Sequence, residues 1–271
     1  MIVQNLKVKL KKLPPRQGEG TCGNPIASEW GIVNRMKTWL NREFLHIRKG
    51  KIVKYSEKNI IDKALFEYKN GKADFSIDRN DSVLLVIDMQ NEFVKPGWTS
   101  SWIPEATRQV PKIKKVIDIC RKQNVPVIYT VFSNTNMYLD RPKYGYAMPN
   151  RFSDLGTDET WFSAGEVWQE LAPADNELII HKCSYGAFYD TPLETILKNL
   201  GKNTIIISGT LTNCCCGTTA RQGYERGFKV VVGSDITSTY TQEMQGAELN
   251  TLRFAFARVM TSEEIINELI I

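Results

Sequence analysis

The chain has 271 residues, 42% of them hydrophobic and 24% charged, with a formal net charge of +5. Such a balance suits one large α/β domain, or one domain with an appendage, and a full apolar core. Lys and Arg are spread along the chain except at residues 7–12 and 48–54, which disfavours a nucleic-acid binder. No apolar run has the length of a bilayer span or a secretory leader, so a cytoplasmic protein without membrane partners is expected.

Residues 1–80 stand apart. They hold one amphipathic stretch at 28–45 and another at 60–68, separated by the basic segment IRKGKIVK. This extension is too short to bury much core alone, and it is expected to pack on the main domain or on a neighbouring subunit.

From residue 81 to 271, short β-branched runs alternate with amphipathic helical stretches, the pattern of a doubly wound, mostly parallel sheet. A first strand is expected at 83–87 and a helix at about 105–124, with apolar residues at Val110, Ile113, Val116 and Ile117. Pro126 introduces a second strand at 127–132. Residues 133–160 show no sustained period, and a loop of that length is read as a lid or substrate-side loop.

A short helical segment is expected at 165–171, a third strand at 177–181, and a helix opening at Thr191-Pro192 and ending at Gly201. The fourth strand covers 204–208. A cysteine-bearing helix then runs to about Arg226, a fifth strand covers 230–232, and helices at 241–258 and 261–269 close the chain. Thr261 and Glu264 are spaced as a capping box for the last helix.

Six cysteines are too few for a disulfide scaffold in a chain this long, and the adjacent Cys214, Cys215 and Cys216 lack the spacing of zinc ligands. Each cysteine taken singly reads as a small buried hydrophobe. Only two histidines occur, His46 and His181, and both read as structural. A histidine base therefore has little material behind it.

Functional residues of such a sheet gather at the carboxyl ends of the strands. Asp88 follows the first strand, Lys182 the third, and Cys215 lies just beyond the fourth. Brought together they make a hydrolytic triad: Cys215 as nucleophile, Asp88 as the base that takes its proton, and Lys182 as the cation that keeps both anions tolerable in a dry pocket. A helix N-terminus at Cys215 would favour thiolate.

Three segments carry a resemblance: LLVIDMQNEF at 84–93, KCSYGAFYDTPLETIL at 182–197, and the cysteine run after Gly209. They resemble the isochorismatase-like cysteine hydrolases, a superfamily that includes nicotinamidases, N-carbamoylsarcosine amidases, ureidoacrylate and biuret amidohydrolases, and vinyl-ether-cleaving isochorismatases. The resemblance covers roughly residues 81–260 and implies a Rossmann-type three-layer sandwich. Asp88, Lys182 and Cys215 match the family's catalytic residues one for one. It also implies a cis peptide at Thr210-Leu211 and an oxyanion hole made by the Leu211 and Cys215 N–H groups. Homodimers or homotetramers are common in the family, and an interface is a natural place for the extension.

Nicotinamidases of this family usually carry an Asp-x-His metal site after the second strand. Here that stretch reads TVFSNTNMYLD, without histidine, which argues against nicotinamidase activity and against bound zinc or iron. No cofactor is expected. Isochorismatases proper usually lack the nucleophilic cysteine, so Cys215 points to amide or ureido C–N cleavage. The pattern Lys-x-x-Tyr-x-x-Phe-x-x-Thr-Pro-Leu, with Tyr185, leans toward the ureidoacrylate branch. Gly217 stands where the family often has an acidic residue. Asn91, Phe93, Trp98, Tyr138 and Tyr185 are candidates to line a pocket for a small molecule, although the aromatics also fit as core or subunit contacts. Two other readings remain: an ester or vinyl-ether hydrolase on the same scaffold, and a non-catalytic assembly protein with a vestigial site.

Overall fold

A computed structural model describes the backbone of residues 43–48, 51–133 and 165–271, with side chains from residue 56 onward within those ranges. The chain divides into two compact units, 1–61 and 62–271. In the first, β1 (Glu43–Arg48) and β2 (Lys51–Ser56) form an antiparallel hairpin in which Arg48 faces Lys51 and Glu43 faces Ser56. Residues 47–48 and 51–54 of the basic segment, expected only as a separator, are therefore paired strand. Helix α1 (Glu57–Asn70) follows and contains the expected amphipathic stretch at 60–68. The expected stretch at 28–45 lies almost wholly outside the described residues, and the expected lid at 133–160 does so from residue 134 on.

The second unit is built on six parallel strands: β3 (Ser82–Ile87), β4 (Val127–Phe132), β5 (Leu178–Lys182), β6 (Thr204–Thr210), β7 (Lys229–Ser238) and β8 (Arg258–Met260), in spatial order β5-β4-β3-β6-β7-β8. Every residue of β3, β4 and β6 is buried. Their near-continuous apolar runs follow from this, because a central parallel strand is covered on both faces.

On one face Leu84 and Val86 pack with α3 (Pro104–Lys122) and α7 (Ser262–Leu269); on the other Val83, Leu85 and Ile87 pack with α4 (Leu193–Asn199), α5 (Gly217–Glu225) and α6 (Gln242–Ala255). The one-turn helix α2 (Asn91–Val94) follows β3. The capping box on α7 forms as its spacing predicts, with the Thr261 hydroxyl accepting from the Glu264 N–H and the Glu264 carboxylate accepting from the Thr261 N–H.

Three expectations are corrected. The segment 165–171 is helical only as a 3₁₀ turn at Gln169–Leu171, because Val167 instead pairs with Gln90 in an antiparallel bridge. The third strand is shifted by one residue, so Lys182 ends β5 rather than following it. The sixth strand, β8, falls where the sequence predicts a helix end and a linker. Its three residues, Arg-Val-Met, are too short to show a period, and α6 stops at Ala255 to release them.

Because β4 and β5 lie on one side of β3 and β6 returns to the other, the carboxyl ends of β3 and β6 flank a topological switch point, the usual crevice of an open α/β sheet. Gly209 lets the two strands close there. It pairs with Ile87 at φ +113°, and a Cβ would lie 2.0 Å from the Ile87 carbonyl oxygen.

Candidate active site

Asp88 is the first residue beyond β3 and has φ +51°, a left-handed conformation that Asp tolerates better than most side chains. Its N–H donates to the Thr130 carbonyl at 3.0 Å, and Thr130 Oγ1 donates to Asp88 Oδ1 at 2.7 Å. Oδ2 faces Lys182 Nζ at 2.7 Å, and both side chains are 0% exposed. The ammonium also donates to the Ser184 carbonyl at 3.0 Å. A buried charge persists only when paired, and here each finds the other across the end of one intervening strand, β4.

Cys215 completes the group. It sits in a π-helical turn, Thr212–Cys216, that joins β6 to α5, and it is 6% exposed. The Leu211 carbonyl accepts from the N–H groups of Cys214 and Cys216, which closes the turn. The thiol lies within hydrogen-bonding reach of both Asp88 and Lys182. A second tie fixes its backbone: Thr219 Oγ1 donates to the Cys215 carbonyl at 2.7 Å and accepts from the Ala187 N–H at 2.9 Å. The cysteine turn and the loop after Lys182 are thus joined through one hydroxyl.

The electrostatics correct one expectation. Burial pushes the Cys215 thiol well above its ordinary pKa; Lys182 pulls it down, but the Asp88 carboxylate adds to the rise. Burial thus works against the thiolate that a helix N-terminus alone would favour. For Lys182, burial acts against the ammonium, yet Asp88 and Cys215 outweigh it and hold its pKa above the ordinary lysine value.

The peptide between Thr210 and Leu211 is cis, at the position the resemblance implied. Of the pocket candidates, Tyr185 is half-buried and stacks on Phe132, with ring centroids 6.4 Å apart and planes at 18°. Asn91 donates to Glu166 Oε2 at 3.2 Å. Phe93 packs against the core on the sheet face opposite Cys215, and Trp98 is 49% exposed beneath Lys95 Nζ. Tyr138 lies outside the described residues. Glu248 fills the space beside Gly217, where a Cβ would meet Glu248 Oε1 at 2.2 Å, and it pairs with Arg221. Among the described residues, no three His, Cys, Asp or Glu side chains are grouped so as to hold a metal ion, and no helix is long and apolar enough to cross a membrane.

Thr130 and Thr219 bond this centre without having been singled out in the sequence, although Thr219 lies within the cysteine run.

Residues 82–264 match the isochorismatase domain model. The chain is 32% identical over 191 residues to Nicotinamidase 3 of Arabidopsis thaliana, covering 70% of this chain and 89% of that protein. It is 27% identical over 195 residues to enterobactin synthase component B of Escherichia coli, covering 72% and 66%. Among solved structures, a cysteine hydrolase from Pseudomonas syringae superposes with a TM-score of 0.66 at 28% identity, over 73% of this chain and 96% of that one. N-carbamoylsarcosine amidase from Thermoplasma acidophilum superposes with a TM-score of 0.55 at 26% identity, over 68% and 97%.

Proposed function

The chain belongs to the isochorismatase family of hydrolases, and from that premise we propose a metal-independent cysteine amidohydrolase that cleaves the C–N bond of a small linear amide or N-carbamoyl compound. The observation that carries the reading is the fully buried Asp88–Lys182 pair beside the Cys215 thiol. A lone structural ion pair has no need of a thiol against it, and a lone buried cysteine has no need of two charges.

In the proposed reaction Cys215 Sγ attacks the substrate carbonyl as its proton passes to Asp88. The tetrahedral oxyanion is held by the N–H groups of Leu211 and Cys215. The proton then goes from Asp88 to the departing nitrogen, ammonia or an amine leaves, and a thioester remains. Water, activated by Asp88, adds to the thioester, the acid departs and the proton returns to Cys215. Lys182 stays protonated throughout and offsets the negative charge as it moves from carboxylate to oxyanion.

Two relatives bear names of amide-cleaving enzymes, a nicotinamidase and an N-carbamoylsarcosine amidase, which supports C–N cleavage. The histidine-free stretch at 130–140 favours the metal-independent form. The likeness to enterobactin synthase component B favours a second reading, ester or vinyl-ether hydrolysis on the same scaffold.

The test is ammonia release from a panel of small amides and ureido compounds after chelator treatment. Wild type is expected to release ammonia from at least one. Cys215→Ala and Asp88→Asn are each expected to lose on the order of 10⁴-fold or more in kcat. Turnover that survives Cys215→Ala would overturn the thioester route and favour the second reading. Loss on chelation would overturn metal independence.

A further inference from the structure

Phe132 and Lys182 are register partners across β4 and β5, so their side chains leave the sheet on the same face as direct neighbours. Lys182 Nζ lies 5.0 Å from the centre of the Phe132 ring, within cation–π range. The ammonium is wholly shielded from solvent; it pairs with Asp88 Oδ2, donates to the Ser184 carbonyl and interacts with the Cys215 thiol. The ring is thus a fourth neighbour of an ammonium shielded from bulk solvent. Tyr185 backs it by stacking against it.

The ring is also held in place from behind. Gln90 is 0% exposed, and its side-chain amide grips the Phe132 backbone from both ends. Gln90 Oε1 accepts from the Phe132 N–H at 2.7 Å, while Gln90 Nε2 donates to the Phe132 carbonyl at 3.0 Å and to Glu92 Oε2 at 3.0 Å. A side chain here does what a neighbouring strand would do, at the point where β3 has already turned away toward Asp88. A residue needed only to fill volume requires no such two-sided clamp.

We propose that Phe132 is a positioning residue for the reaction above: its ring face holds the Lys182 ammonium against Asp88 and Cys215, and Gln90 fixes the ring. The proposal rests on the amidohydrolase reading for its purpose, but its physical content is the coupling of ring, ammonium and thiol. Among the described residues, the charged and titratable groups facing Lys182 include Asp88, from the end of β3, and Cys215 and Cys216, from the π-helical turn. Those facing Cys215 include Lys182, Asp88 and the neighbouring Cys214 and Cys216. The ammonium draws the Cys215 pKa down against burial, so an ammonium that drifts or is less well stabilised leaves the thiol harder to ionise.

The probe is iodoacetamide, whose reaction with Cys215 requires thiolate and no substrate. Alkylation of Cys215 is followed by peptide mass across pH on the full chain, with Cys215→Ala as the blank that removes the contribution of the other cysteines. Phe132→Leu keeps an apolar side chain and deletes the ring; it is expected to move the alkylation midpoint up by about one pH unit, with up to tenfold slower alkylation below the midpoint. Phe132→Tyr, which keeps the ring, is expected to restore the wild-type midpoint. Tyr185→Leu, at a half-buried position, is expected to move it in the same direction by a smaller amount, and it serves as the test if Phe132→Leu does not fold. A Phe132→Leu midpoint equal to wild type, or equal shifts in the Leu and Tyr variants, would overturn the proposal. Because alkylation is independent of turnover, failure of the amidohydrolase reading would appear separately, as ammonia release retained in Cys215→Ala.

Discussion

Two ion pairs in the hydrolase unit show how the same attraction serves different ends. Arg258 and Glu268 form a two-pronged pair, with Nη1 and Nη2 each 2.6 Å from a carboxylate oxygen. Arg258 also donates to the Phe75 carbonyl, and Glu268 accepts from the Ile77 N–H. The planar fork spends both oxygens and ties β8, α7 and the chain before β3 into one rigid corner. Lys182 and Asp88 make the opposite choice. A point charge meets one oxygen, the other oxygen meets Thr130, and the pair stays open toward a thiol. The first pair is bidentate and closed on the carboxylate; the second leaves a thiol against it.

The largest expected separation between the two comes from deleting each cation. Lys182→Met leaves Asp88 buried and uncompensated, and it is expected to cost roughly 3–5 kcal/mol in urea unfolding together with all measurable hydrolysis. Arg258→Met leaves a carboxylate that rehydrates, because the Glu268 side chain is 22% exposed; its expected cost is about 2 kcal/mol, with turnover per folded molecule retained. Equal stability losses, or equal activity losses, would erase the distinction.

A smaller effect is expected at Thr219, whose hydroxyl joins the Cys215 carbonyl to the Ala187 N–H. Thr219→Val keeps the shape and removes both bonds, with an expected loss of about 1–3 kcal/mol and a fall in kcat larger than any change in KM. The surface counterpart, Thr261→Ala at the α7 cap, is expected to cost about 1 kcal/mol and to leave both kinetic constants unchanged. Unfolding curves and steady-state kinetics on the two variants decide whether the Thr219 bridge serves the site or only the fold.

The smallest expected effect is acid sensitivity at the structural pair. Arg258 holds the Glu268 carboxyl below the usual range. Its contribution is therefore present above the unfolded value of about 4.3 and is lost as pH falls through the lower folded value. The stability difference between wild type and Glu268→Gln is expected to be under about 1 kcal/mol at neutral pH and to vanish in acid. A difference that grows below pH 4 would contradict the assignment.

Helix and strand order from residue 81 on was largely legible because buried parallel strands and amphipathic helices leave opposite marks on a sequence. The runs SVLLVI and VIYTVF are continuous because both faces are covered, and α3 repeats its apolar residues every three or four positions. What escaped was short or locally ambiguous: the three residues of β8, the bridge at Val167 and the hairpin made from a basic segment. In each, partners far along the chain decided the conformation.

The sequence by itself determined the parallel-sheet alternation, the cap on α7, and the placement of Asp88, Lys182 and Cys215 at three strand ends, because each follows from residues close together in the chain. Tertiary structure alone decided the direction in which the Cys215 pKa moves, since burial and a carboxylate 127 positions earlier raise it against the local pull of a helix end. It alone brought Thr130 to Asp88, Thr219 to the Cys215 carbonyl, the Phe132 ring to the ammonium and Gln90 to the Phe132 backbone. Those contacts join β3, β4, β5 and α5, and no spacing in the chain encodes a distance across a sheet.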